Sequence, residues 1–127
     1  MVTYKDLAIY KTSHELAVAV HAMTLKELPR FEMYEEGAQI RRSSKSVVAN
    51  IVEGFGRRRY KQEFIQFLTY SIASCDETRE HLELLHDTGS LDNAKVVTGF
   101  LSKCQELGAM IMSFTKAVER GHLTRKQ

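Results

Sequence analysis

Seven cations crowd the stretch from Arg41 to Lys61: Arg41, Arg42, Lys45, Arg57, Arg58, Arg59 and Lys61, against one acid, Glu53. The whole chain holds 18 basic and 16 acidic residues, so its net charge of +2 divides into +6 in this segment and −4 elsewhere. Guanidinium and ammonium groups gathered in this way make charge-assisted hydrogen bonds to phosphate or carboxylate oxygens, and polyanions are their usual partners. Phe55 and Tyr60 flank the arginine run and offer rings on which an unpaired base could stack. If all seven cations met single-stranded RNA, the log–log salt slope would reach roughly −5 per subunit. The helix dipole does not account for Arg57, Arg58 and Arg59, because charge favoured after one helix is disfavoured before the next. Two readings stay open for the run: a phosphate-contacting surface, or a solvated loop that faces protein.

Other side chains also have types suited to chemistry. Asn50 and Glu53 lie one turn apart beside Gly54 and Gly56, downstream of Gln39. A lone carboxylate in a basic setting resembles a general base, but a structural corner is the stronger expectation, with Glu53 accepting from Arg41, Arg42 or a neighbouring chain. No nucleophile, base and orienter stand together, so no catalytic residue and no enzymatic activity are expected. Glu83 and His86 carry the spacing of a di-iron ligand pair, yet they fall beside the apolar stripe of their helix, and His14 and His21 have no matching glutamate. Neither metal nor cofactor is expected. Asp76, Glu80, Glu83 and Asp87 form an acidic strip, read either as a solvated face or as a contact for basic residues of a neighbouring subunit. Ile65, Phe67, Leu84, Met110 and Met112 exceed the needs of a narrow core and favour an oligomer.

These residues need helices to position them. At 127 residues with 43% hydrophobic content, the chain is expected to form a single domain over 1–127, ordered except in the last few residues. No apolar run approaches a membrane span and the N-terminus lacks a secretion signal, so a cytoplasmic protein is expected. Helical periodicity predicts four helices near 4–28, 35–55, 60–88 and 91–120. The first, opened by a Thr3/Asp6 capping box and closed by Pro29, buries Ile9, Ser13, Leu16, Val20 and Met23. The second starts near Glu35 and Glu36, buries Ile40, Ser44, Val47 and Ile51, and ends at Gly54 and Gly56 in a turn centred on Phe55. The third carries Phe64, Leu68, Ser71, Cys75, Thr78, Leu82 and Leu85, and Gly89 and Ser90 supply a C-cap and the next N-cap. The fourth carries Val97, Phe100, Cys104, Leu107, Ile111, Phe114 and Val118. Short connections and spacing near 3.5 predict an all-α, antiparallel up-down-up-down four-helix bundle. Cys75 and Cys104 then fall at similar heights, as reduced neighbours.

With the helices in place, the chain resembles the four helix bundle protein family, also called the 23S rRNA intervening-sequence proteins. The matching residues are Tyr4-Lys5-Asp6-Leu7, Leu28-Pro29, Glu32, Gln39-Ile40-Arg41-Arg42, Ser46, Asn50 to Arg57 and Glu63 to Leu68. The chain departs from the pattern at Tyr60, where a Ser or Thr would cap the third helix, at Ser43 and Ser44, and at Ser74 and Cys75. The resemblance implies a bacterial, non-enzymatic bundle that assembles into ring-like pentamers. It also implies a tie to nucleic acid, since members are encoded within 23S rRNA genes and a distant relative binds a reverse transcriptase and nucleic acid. The expected partners are therefore further copies of the chain, RNA and a protein partner, with no membrane.

Overall fold

The computed structural model describes residues 1–121. The extension of the domain to residue 127 and the expected disorder of the last few residues lie outside the described residues. Four helices dominate: α1 (Ala8–Lys26), α2 (Glu36–Gly56), α3 (Lys61–Asp87) and α4 (Ala94–Glu119). Two 3-10 turns, Tyr4–Asp6 and Arg30–Tyr34, precede α1 and α2. No strand occurs among the described residues.

The helices form because their apolar residues recur at three and four, and the stripes are buried as their periodicity demands, except that Phe100 and Phe114 of α4 are only partly buried against the core. Each helix packs on its neighbours in sequence, and α4 closes back on α1 in the thinnest of the four contacts. The register is explicit where side chains meet. Ser43 faces Thr78, Ser71 faces Val47, and Gly54 lies against Phe64 and Phe67, so α2 and α3 run antiparallel. Cys75 beside Cys104 and Phe64 beside Phe114 set α3 and α4 antiparallel in turn.

The α2–α3 seam is polar for a core. Ser43 and Thr78 hydroxyls meet at 2.9 Å, the Ser71 hydroxyl donates to the Val47 carbonyl at 2.8 Å, and Ser74 donates to Ser46 at 3.1 Å. These small side chains bring the two helices close while keeping every hydroxyl satisfied. Among the described residues no buried side-chain polar atom lacks a partner.

Helix boundaries depart from the sequence expectations in three places. The Thr3/Asp6 capping box forms, but it closes a 3-10 turn, and extended Leu7 separates that turn from α1. The second helix continues through Gly54 and Gly56 to a C-cap at Arg57, and neither glycine has positive φ. Gly54 serves close packing instead: an added Cβ would sit 3.1 Å from the Cβ of Phe67. Asn93, not Ser90, caps α4 by accepting from the Lys95 and Val96 amides at 3.1 and 3.3 Å. Gly89 does end α3, with φ +84° and its N–H bonded to the His86 carbonyl.

Candidate nucleic-acid interface

The seven cations do not form one patch. Arg41 and Arg57 are separated by sixteen residues of helix, about 24 Å at the usual rise. Arg41 is half-buried and spans the α1–α2 connection, donating to Thr24 Oγ1 at 2.9 Å and to the Met33 carbonyl at 2.6 Å. Arg42 is exposed, donates to Gln39 Oε1, and lies 3.6 Å from Glu77 of α3. Gln39 therefore orients Arg42 and takes no part in the Asn50–Glu53 corner, about 16 Å further along α2. Lys45 lines a groove between α1 and α2.

Arg57, Arg58, Arg59 and Lys61 do come together at the α2–α3 corner, but two of them build it. Arg57 Nε donates to Glu53 Oε2 at 2.8 Å and Nη1 to Glu63 Oε1 at 2.9 Å, so one guanidinium joins the end of α2 to the start of α3. It also lies 5.0 Å from the centre of the Phe67 ring. The hydrogen bonds to Glu53 and then Glu63 raise its pKa further, and it stays charged. The Arg58 guanidinium donates to the Phe55 carbonyl at 2.9 Å, joining the Arg58 backbone amide that bonds the same oxygen at 3.1 Å, and sits 4.1 Å over the Phe55 ring.

Three expectations are corrected here. Glu53 accepts from Arg57, not from Arg41 or Arg42, because a residue four positions on along the same helix face reaches it more easily than residues three turns back. Asn50 does not bond Glu53; its amide donates to the Ser46 carbonyl at 2.9 Å and to the Ser46 hydroxyl at 3.2 Å. Phe55 is buried under Arg58 and is closed to a stacking base. The dipole argument missed Arg57 and Arg58 because it weighed charge against helix ends and took no account of which atoms each side chain can reach.

Arg59, Tyr60 and Lys61 remain. Neither cation makes a hydrogen bond or ion pair through its side chain with another described residue, and Tyr60 is 58% exposed. They stand at the first turn of α3, which no side chain caps, as the departure at Tyr60 foretold. Uncapped amide donors beside free cations suit a phosphate.

The histidines and acids take other places. His81, which no motif or spacing singles out, bridges Glu36 at 2.5 Å and Glu77 at 3.2 Å. His86 Nδ1 lies 2.9 Å from the Leu91 carbonyl. Among the described residues no group of three or more His, Cys, Asp or Glu side chains is arranged to hold a metal ion. Asp76, Glu80, Glu83 and Asp87 are all exposed. Ile65 and Met110 pack against the core, Phe67 is half-buried, and Leu84 and Met112 are exposed.

Sequence reasoning missed Glu32, which is only 4% exposed. Its Oε1 accepts the Glu36 amide at 3.0 Å and its Oε2 accepts the Ser90 hydroxyl, tying the α1–α2 connection to the start of α2 and to the α3–α4 loop. The only signal in the sequence was its place among the residues that carry the family resemblance.

Comparison with known proteins agrees with this fold. A crystal structure of a protein of unknown function from the S23 ribosomal protein family of Bacteroides thetaiotaomicron superposes with a TM-score of 0.77 at 24% identity, covering 85% of this chain and 95% of that one. No curated protein matches the sequence. No helix of the described residues is long and apolar enough to cross a membrane. The family model described as 23S rRNA-intervening sequence protein matches residues 5–113. The chain belongs to the 23S rRNA-intervening sequence protein family.

Proposed function

We propose that this protein is a non-enzymatic, homo-oligomeric helical adaptor that contacts RNA through the α2–α3 corner. The observation that carries this reading is the display of Arg59, Tyr60 and Lys61, without internal partners, at the uncapped start of α3. Backbone amides and two cations would hold phosphate, and Tyr60 would stack on an unpaired base. Two phosphate contacts give a salt slope of about −1.4 per subunit, far below the value for seven. A ring would repeat this weak contact around its axis and sum it by avidity.

The apolar groove between α1 and α2 supports the oligomer. It encloses about 660 Å³, lined by Ala17, Ala22, Val48 and Ala49 together with exposed Val18 and Leu25. The same groove favours the second reading, a protein-interaction scaffold without RNA. Light scattering after gel filtration, with and without cellular RNA at low and moderate salt, separates the two. A pentamer-sized particle that gains RNA only at low salt is expected, whereas one indifferent to RNA at both salts would overturn the RNA reading.

A further inference from the structure

The end of the bundle opposite the arginine corner presents two aromatic rings on a backbone that has little freedom to move. Residues Arg30–Tyr34 form a 3-10 helix. Glu32 anchors it from within, through the Glu36 amide and the Ser90 hydroxyl. Arg41 holds its far end by donating to the Met33 carbonyl at 2.6 Å. Gly37 of α2 lets the Glu32 carbonyl approach so closely that an added Cβ would sit 2.4 Å from its oxygen.

On this ledge Phe31 is 66% exposed and Tyr34 is 89% exposed. They lie three residues apart, the spacing that stacks side chains one above the other on a 3-10 helix. Neither ring contacts another ring or a cation among the described residues, and neither belongs to the core. Leaving two rings of this size in water gives up hydrophobic stabilisation that burial elsewhere would supply. Exposed aromatics on a pre-organised backbone are the usual anchors of protein interfaces.

The surroundings indicate the kind of partner. Phe31 and Tyr34 line a concavity of about 420 Å³ whose acidic side chains are three carboxylates, Glu32, Glu35 and Glu36. Glu32 is engaged within the fold and Glu36 pairs with His81, whereas the Glu35 carboxylate has no side-chain partner among the described residues. Arg30, the one cation of the segment, lies outside the concavity. A phosphate backbone would meet these carboxylates with repulsion. A guanidinium fits both features: it is planar, stacks on aromatic faces and pairs with carboxylates.

We propose that Phe31, Tyr34 and Glu35 form a docking ledge for an arginine-bearing segment of a protein partner. A guanidinium lies over the two rings and donates to Glu35. This surface stands apart from the RNA reading and does not depend on it. Together the two ends would let one bundle hold RNA and a basic protein about 30 Å apart, the length of α2.

The test uses a fluorescein-labelled peptide of alternating arginine and glycine, its lysine counterpart and the full chain at moderate salt. The arginine peptide is expected to bind more tightly than the lysine one. Phe31→Ala combined with Tyr34→Ala leaves every charge in place and should weaken the arginine peptide about tenfold with Tm unchanged. Glu35→Gln should weaken it several-fold. Failure of the wild type to bind, or equal binding by the double variant, would overturn the proposal. A double variant that lost labelled single-stranded RNA instead of the peptide would assign the ledge to RNA. One that changed mass by light scattering would assign it to a second copy of the chain. Either result would also overturn the proposal.

Discussion

The two ends of α2 use the same residue types to opposite effect. At the α2–α3 corner, Arg57, Glu53 and Glu63 form an exposed clamp between residues at most ten positions apart. At the other end, Arg41 and Glu32 are held within the fold, and Glu32 reaches Ser90 across 58 positions. Exposed pairs are screened by water and salt and add little to stability. A buried carboxylate that satisfies groups on two other segments does far more, because removing it strands those groups without water. The corner is thus free to vary its surface, while the opposite end fixes the geometry of the bundle.

Substituting the two carboxylates tests this contrast most severely. Glu32→Ala should cost about 3 kcal/mol in urea unfolding, whereas Glu53→Ala should shift the midpoint only slightly. An equal loss at both would break the comparison. The glycines sharpen it with a change of sign. Gly37→Ala places a Cβ against the Glu32 carbonyl and should destabilise by about 1–3 kcal/mol. Gly56→Ala meets nothing within 4 Å at a helical position without positive φ, and should stabilise by about 0.5–1 kcal/mol.

Midway between the ends, the Cys75 thiol lies 3.3 Å from the Cys104 carbonyl, and both thiols are free and buried. The hydrogen bond with Cys75 and then burial push the Cys104 thiol above its ordinary value of 9.0. A folded-state value above the unfolded one favours the folded protein while the thiol stays protonated. This contribution is intact below about pH 9 and declines as pH rises past it. The smallest expected effect follows: between pH 7 and 10 the wild type should lose slightly more stability than Cys104→Ala, measured by urea midpoint.

Legibility in the sequence follows the same division. The four stripes could be read because each is set by residues three and four apart, and the Cys75–Cys104 pairing followed from equal distances to Gly89 and Ser90. The 3-10 helix at Arg30–Tyr34 and the roles of Glu32 and Arg41 could not, because their partners lie in other segments. Ser90 shows the reason. Its local setting reads as an N-cap, yet its hydroxyl is drawn to Glu32, and Asn93 caps α4 instead. The arginine run was legible as charge, but only geometry separates the two that hold the corner from Arg59 and Lys61.

That separation is the central claim, and parallel measurement of Tm and RNA affinity on two variants tests it most directly. Arg59→Ala combined with Lys61→Ala should leave Tm unchanged, weaken binding to a single-stranded RNA, and reduce the salt slope by about 0.7 per residue removed. Arg57→Ala should lower Tm slightly and change the affinity much less. RNA binding that survives the first variant and disappears with the second would contradict the account.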